Sequence, residues 1–203
     1  MSWTRLSYQR TLRIQKERIG AIIGKKGSIK EEIENKCNID IEVDSEYGDV
    51  MLKSRNTNPL DILDLNKALE IVMAISKGFS PERAFNLFKE ENSLEVIDLR
   101  DYVGKSSNSL SRVKSRLIGE KGKSRRTIEE LTGSYISIYG HHVGIIGSPD
   151  QINLTTEAIT RICSGRSHKN VYNFLQEIRR KAKIEKMKLW EESNNPSLNE
   201  NQL

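Results

Sequence analysis

Two pairs of glycines, Gly24/Gly27 and Gly119/Gly122, each stand three residues apart with charged residues between them. Glycines at that spacing let the backbone turn tightly and approach a ligand without a Cβ in the way. Where such a turn opens a helix, the free N–H groups and the positive dipole end attract an anion, phosphate above all. The chemistry at stake is therefore binding, either of a nucleotide cofactor or of a nucleic-acid backbone. Register separates the two. A nucleotide-binding P-loop reads G-x-x-x-x-G-K-[ST]. Gly122-Lys123-Ser124 supplies its second half, but the leading glycine would fall at Leu117. Gly27-Ser28 lacks the Lys-Ser/Thr pair, and neither turn has the leading glycine of a dinucleotide fingerprint. No cofactor is expected, and what remains is a grip on a sugar-phosphate chain.

Other chemistry finds little to build on. Cys37 and Cys163 give no disulfide framework, and with His141, His142 and His168 they form no ligand-spaced cluster, so no metal site is expected. Glu31, Glu32, Glu129 and Glu130 pair acids in sequence alone, with no histidine set to complete a reaction centre, and the chain does not read as an enzyme. No apolar run approaches the roughly 20 residues of a membrane span, and the N-terminus lacks the apolar core of a signal peptide. A cytoplasmic monomer is the expectation. Charge points to a polyanion. Residues 1–100 carry 16 Lys/Arg against 17 Asp/Glu, while 101–203 carry 17 against 11, a balance of −1 and +6.

The two turns sit in a repeated frame 95 residues apart, "RIGAIIGKKGSIKEEIENKCNIDIEV" and "RVKSRLIGEKGKSRRTIEELTGSYISIY". Each has an Ile before the first glycine and another six residues after the second, at Ile33 and Ile128. Asn38 and Gly133 then stop the helix, since both residue types tolerate the left-handed conformation. An alternating strand follows each, Ile39-Ile41-Val43 and Tyr135–Tyr139. Around each core the order reads strand, helix, glycine turn, helix, strand, strand, helix. "RTLRIQ" is the opening strand and "DVMLKS" the third strand of the first copy; "SLEVIDL" opens the second, and a hairpin leads into its "VGIIG". Asn58-Pro59 starts one helix, Ser80-Pro81 a short one, and Pro149–Cys163 another. A last helix runs from Asn170 to about Glu192. Tyr135 and Tyr139 are expected to pack on a sheet, and His141-His142 to lie on an exposed turn. The units are residues 1–92 and 93–192, with 193–203 a disordered tail.

This arrangement resembles the KH domain, whose GXXG loop clamps about four nucleotides of single-stranded nucleic acid. The chain is further similar to the archaeal members of the KH-protein family that assists small ribosomal subunit assembly, relatives of the pre-rRNA processing partner of the Nob endonuclease. The matching stretches are the first glycine turn, "GFSPERAF", "RLIGEKGKSRRTIEELTG" with "YISIYG" and "VGIIG", and "HKNVYNFLQ". The resemblance implies an α+β fold of two tandem type I KH domains, three-stranded sheets packed on helices, with extra helices after each. It also implies a hold on single-stranded small-subunit rRNA near its 3′ end, with a PIN-domain endonuclease or the pre-30S particle as partner. A KH-type mRNA-binding or transcription-elongation factor is the other reading, separable by whether the protein sediments with pre-30S particles.

The RNA-binding set carried onto this chain is Ile118, Gly119, Glu120, Lys121, Gly122 and Lys123, with Arg116 before and Arg125 and Arg126 after. In the first copy it is Ile23, Gly24, Lys25, Lys26, Gly27 and Lys30. Two departures stand out. Lys30 and Arg125 occupy the place, three residues past the second glycine, where a common KH helix has Ile. Glu120 puts a negative charge inside the second turn, which favours a grip by backbone amides. The balance of charge makes the second copy the main grip.

Overall fold

The amphipathic repeats must bury one face of each helix against one face of each sheet, and the chain does this twice. The computed structural model describes residues 8–55 and 61–194. The first unit runs β1 (Gln9–Arg13), α1 (Lys16–Ile23), α2 (Ser28–Cys37), β2 (Ile39–Asp44), β3 (Asp49–Ser54), α3 (Asp61–Ser76) and α4 (Pro81–Ala84). The second runs β4 (Ser93–Asp98), α5 (Arg100–Val103), α6 (Ser107–Ile118), α7 (Lys123–Thr132), β5 (Tyr135–Tyr139), β6 (His142–Gly147), α8 (Pro149–Cys163) and α9 (His168–Asn194). Each sheet is antiparallel with its third strand in the middle, β1-β3-β2 and β4-β6-β5. Register sets Ile41 opposite Leu52 in one and Ile138 opposite Val143 in the other. The mixed α+β class and the two sheets with added helices are as read from the sequence.

Both helix stops behave as expected. Asn38 and Gly133 are left-handed, at φ 49° and 79°. Pro149 follows Ser148, whose capping box with Gln151 starts α8. The opening strand ends at Arg13 instead of Gln15, because Ile14 N–H turns to Gly48 O at 2.8 Å. The last helix begins two residues early, where Ser167 accepts from the backbone N–H of Asn170 and Val171. The expected helix start at Asn58-Pro59 lies outside the described residues; of the expected tail 193–203, residues 193 and 194 still belong to the last helix and the rest lie outside the described residues.

The first core gathers Ile22, Ile33, Ile41, Leu52 and Ile75; the second gathers Leu117, Ile128, Ile145, Ile159 and Leu175. The two are joined. Ile146 of β6 is buried in the first core, and Phe79, 1 % exposed, lies over Gly144. A Cβ at Gly144 would stand 2.7 Å from the Phe79 ring, so a glycine there makes the socket. Burying a Phe side chain is worth about 1.5–3 kcal/mol. Polar bonds frame it. Arg18 donates to Ile75 O and Phe79 O at 2.9 and 2.7 Å, capping the end of α3. Its guanidinium lies 5.7 Å from the Tyr139 ring centre, while the Tyr139 hydroxyl donates to Glu17 at 3.2 Å. Both tyrosines of β5 thus pack toward the first unit, Tyr135 against its core.

Candidate nucleic-acid interface

The glycine turns connect α1 to α2 and α6 to α7, and their backbones are near copies. Gly24 and Gly119 have φ 72° and 70° with extended ψ; Lys26 and Lys121 are left-handed at φ 54° and 50°; Gly27 and Gly122 follow at 85° and 77°. A left-handed lysine costs about 1–2 kcal/mol relative to the right-handed form, so this shape is imposed by its surroundings. The two glycines of a turn serve different ends. A Cβ on Gly119 would meet the Ser124 backbone nitrogen at 2.7 Å, and one on Gly24 the Ile29 nitrogen at 2.9 Å. A Cβ on Gly122 would meet nothing. The first glycine closes the packing between helices; the second leaves the surface bare. Sequence reasoning assigned both glycines to ligand approach, and for the first the structure adds a packing reason.

Neither α2 nor α7 has a side-chain cap at its N-terminus. Their first-turn N–H groups therefore have no side-chain acceptor from the cap residue beside the second glycine, the arrangement that attracts an anion. Lys25, Lys26, Lys121 and Lys123 are exposed around them, as are Glu120 and Arg126. Ile118 is 38 % exposed, whereas Ile23 packs against the first core.

Three expected cations have other partners. Arg116 donates to Ile162 O at 2.7 Å and to Arg166 O, while His168 Nε2 lies 2.9 Å from Arg116 O. This arginine ties α6 to the turn between α8 and α9, away from any free role. Lys30 lies 3.8 Å from Glu34, and Arg125 lies 3.9 Å from Glu129. Those two glutamates occupy equivalent places, and each accepts the N–H of the neighbouring strand: Ile41 N at 2.7 Å, Ile136 N at 2.8 Å. Glu129 also accepts from Arg83 of the first unit at 2.6 Å. Sequence reasoning missed Arg83 and weighed Glu129 only as one of four acids, because nothing local in the chain pairs residues 46 apart.

Elsewhere the structure brings Asp98, His141 and His142 within reach of a common point. The Asp98 carboxylate accepts from Arg100, which holds it well below the usual carboxylate range. Lys77 Nζ stands 3.3 Å from His142 Nε2. Burial and the Lys77 charge push the His142 imidazole below its ordinary value. A divalent cation would have to share this corner with Arg100 and Lys77, and the group reads as an ion-pair network. Burial raises both thiols, Cys37 and Cys163, to about 11, so neither is an activated nucleophile. No helix among the described residues is long and apolar enough to cross a membrane.

Comparison with known proteins agrees with this geometry. Residues 93–180 match the family model described as eukaryotic type KH-domain (KH-domain type I), and residues 9–58 match the KH domain model. The KH domain-containing protein MJ0443 of Methanocaldococcus jannaschii is 42% identical over 88% of this chain and 78% of its own length. RNA-binding protein PNO1 of Oryzias latipes is 30% identical over 63% of this chain, which spans 55% of that relative. Among solved structures, the a/eIF2alpha-aDim2p-rRNA complex from Pyrococcus horikoshii OT3 contains a chain with a TM-score of 0.80 and 41% identity, covering 87% of this chain and 96% of its own. With the paired glycine turns, the two matching sheets and these likenesses in hand, the chain belongs to the Dim2/PNO1 family of proteins built on two KH domains.

Proposed function

We propose that the protein is a non-catalytic factor of small ribosomal subunit assembly that holds single-stranded pre-rRNA near its 3′ end through its glycine turns, chiefly the second. The observation that carries this reading is the bare Gly122 beside the uncapped start of α7, with Lys121, Lys123 and Arg126 around it and, among the described residues, no carboxylate paired to any of them. A turn of this kind grips phosphate by backbone amides, with mobile cations adding unspecific attraction. Support comes from relatives, one of which is named a pre-rRNA-processing protein and another solved with rRNA. The units 1–92 and 93–192 act together as one RNA-holding body in the cytoplasm, monomeric, and meet a PIN-domain endonuclease or the pre-30S particle. No nucleotide cofactor enters.

The test is a titration of a labelled single-stranded fragment of small-subunit rRNA 3′ sequence, followed by prolonged incubation with Mg2+. Saturable binding with the strand left intact is expected. Tight ATP binding, or cleavage that tracks the purified protein and needs its own acidic residues, would overturn the reading.

A further inference from the structure

The helices α3 and α8, each the one that follows its unit's hairpin, end in the same way. Gly78 and Gly165 break them at φ 96° and 90°. An arginine from an earlier helix then ties down the carbonyls around each break. Arg18 donates to Ile75 O and Phe79 O, and Arg116 donates to Ile162 O and Arg166 O. Ser80 and Ser167 follow, their hydroxyl oxygens accepting from Arg83 N and Asn170 N, both at 3.4 Å. Lys77-Gly78-Phe79-Ser80 and Ser164-Gly165-Arg166-Ser167 are thus one turn built twice, and Phe79 and Arg166 hold the same place in it.

That place has two fates. Phe79 is buried, its ring plugging the socket over Gly144 that joins the units. Arg166 is exposed, and the fold uses only its backbone: its N–H donates to Arg161 O at 3.0 Å and its carbonyl accepts from Arg116. Its guanidinium has no partner among the described residues. Beside it opens a cavity of about 400 Å³ lined by Arg161, Ser164, Arg166, Asn170 and the buried Val171. The Arg161 guanidinium is held in place, with Nε 2.9 Å from Glu157 and its carbon 3.5 Å from the centre of the Phe174 ring. Lys169, exposed and also without a partner among the described residues, stands on the same turn. Three cations therefore meet one carboxylate, Glu157. The carbonyls that would make the end of α8 negative are occupied: Thr160 O by Ser164 N, Arg161 O by Arg166 N, and Ile162 O by Gly165 N and Arg116. Nothing at this corner offsets the positive excess.

We propose that the turn between α8 and α9 is a second phosphate-binding site, where Arg166, Arg161 and Lys169 hold the backbone of the RNA strand beyond the part gripped at Gly122. The inference rests on the RNA reading above. The turn adjoins the glycine turn along α6: Arg116, whose side chain reaches Arg166 O, stands three residues before Gly119, ~5 Å along the helix. It shares no residue with α7 or β5. Guanidinium forks match the oxygens of a phosphate. The cavity wall has no ring on which a base could stack, and the nearby Phe174 face is covered by Arg161. An apolar sheet face, the partner that Phe79 meets, does not fit here, because burying an unpaired guanidinium against it would be costly. The position that fastens the first unit to the second thus serves, in the second, to fasten RNA.

The experiment titrates single strands of rRNA 3′ sequence of about 5, 10 and 20 nucleotides, the shortest just filling one glycine turn, against the full-length protein and its R166A/K169A variant. Neither side chain packs on the fold, so melting curves should coincide. The shortest strand is expected to bind both proteins equally, and the longest to bind the variant about tenfold more weakly, with a salt slope lower by about 1.4, or 0.7 for each lost phosphate contact. Equal affinity at every length overturns the site. So does an equal loss at every length, which would reduce the two cations to a general field around the glycine turn. Poly-glutamate is titrated in parallel: if the unaltered protein binds it, the variant does not, and the long RNA is unaffected, the turn belongs to an acidic protein segment and the proposal falls. A Lys121→Asp/Lys123→Asp variant is the separate check on the grip. If it binds every strand normally, the RNA reading itself has failed; if it weakens them all while R166A/K169A weakens none, the second site alone is lost.

Discussion

Gly24–Gly27 and Gly119–Gly122 share one backbone shape, yet their surroundings have parted. Beneath the first turn lies Ile29, beneath the second the hydroxyl-bearing Ser124. Ile23 is packed away, whereas Ile118 stands in solvent. One turn past the glycines, Lys30 and Glu34 cancel, whereas Arg125, Arg83 and Glu129 leave a positive excess. Helix α2 continues with Glu31 and Glu32 where α7 has Arg126 and Thr127. Steric requirements inside each unit preserve the loop, because a misplaced atom there clashes at once. Charge on the outer helix faces is under no such steric restraint and is where the copies became different.

The largest expected effect tests that difference directly. Replacing Glu120-Lys121 by two aspartates should weaken binding of an rRNA 3′ fragment by about 100-fold, since like charge set against phosphate costs several kcal/mol. The same change at Lys25-Lys26 should cost far less. Titration across salt concentrations checks the cause: the slope should fall by about 0.7 for each phosphate that the protein no longer neutralises. An equal or larger loss at Lys25-Lys26 would reverse the ranking of the two turns.

The glycines of the second turn should separate stability from binding. Gly119→Ala forces a Cβ into Ser124 at positive φ, and a loss of about 2–3 kcal/mol is expected by chemical denaturation. Gly122→Ala incurs the left-handed penalty alone, about 1 kcal/mol, but places a methyl where a phosphate would sit. Weaker RNA binding by Gly122→Ala with near-native stability is the expected signature. If binding is untouched, the bare glycine is a folding device and nothing more.

Glu129→Gln and Glu34→Gln compare the carboxylates. The first loosens a bond between the units and should cost about 1–2 kcal/mol, moderated because Arg83 remains about a third exposed. The second, inside one unit and opposite a long 3.8 Å contact, should cost under about 1 kcal/mol. Urea unfolding of the two variants gives the contrast, and equal costs would show that Arg83 adds little across the junction. Opposite in sign is Ser124→Ala, which removes a buried hydroxyl without a partner among the described residues. A gain of about 1 kcal/mol is expected, read as a higher melting temperature, bringing this turn closer to the apolar support that Ile29 gives the other.

Much of this was readable in the chain because it is local. Ile33 and Ile128 recur at the same distance from their glycines, and Asn38 and Gly133 stop their helices for a reason that each residue carries with it. Periodicity says which face is buried, however, and not what it is buried against. Arg116 reads as a free cation in the sequence, and only the turn between α8 and α9 engages it. Gly78, Phe79 and Gly144 have no assignable purpose in isolation, for each is defined by an atom brought from more than 50 residues away. The pairing of Arg83 with Glu129 follows from that same junction and was invisible for the same reason.

The Phe79 ring seated on Gly144 fixes more than a core contact. It fastens β6 of the second unit to the end of α3 in the first, and so ties the two turns to one frame. For an RNA already held at Gly122, arrival at Gly27 becomes an intramolecular event whose effective concentration is set by the gap between the two turns. A strand too short to span it gains nothing from the second turn, and one just long enough gains the full avidity at once. Affinity should therefore rise with strand length as a step, and the height of the step measures what the weaker turn contributes.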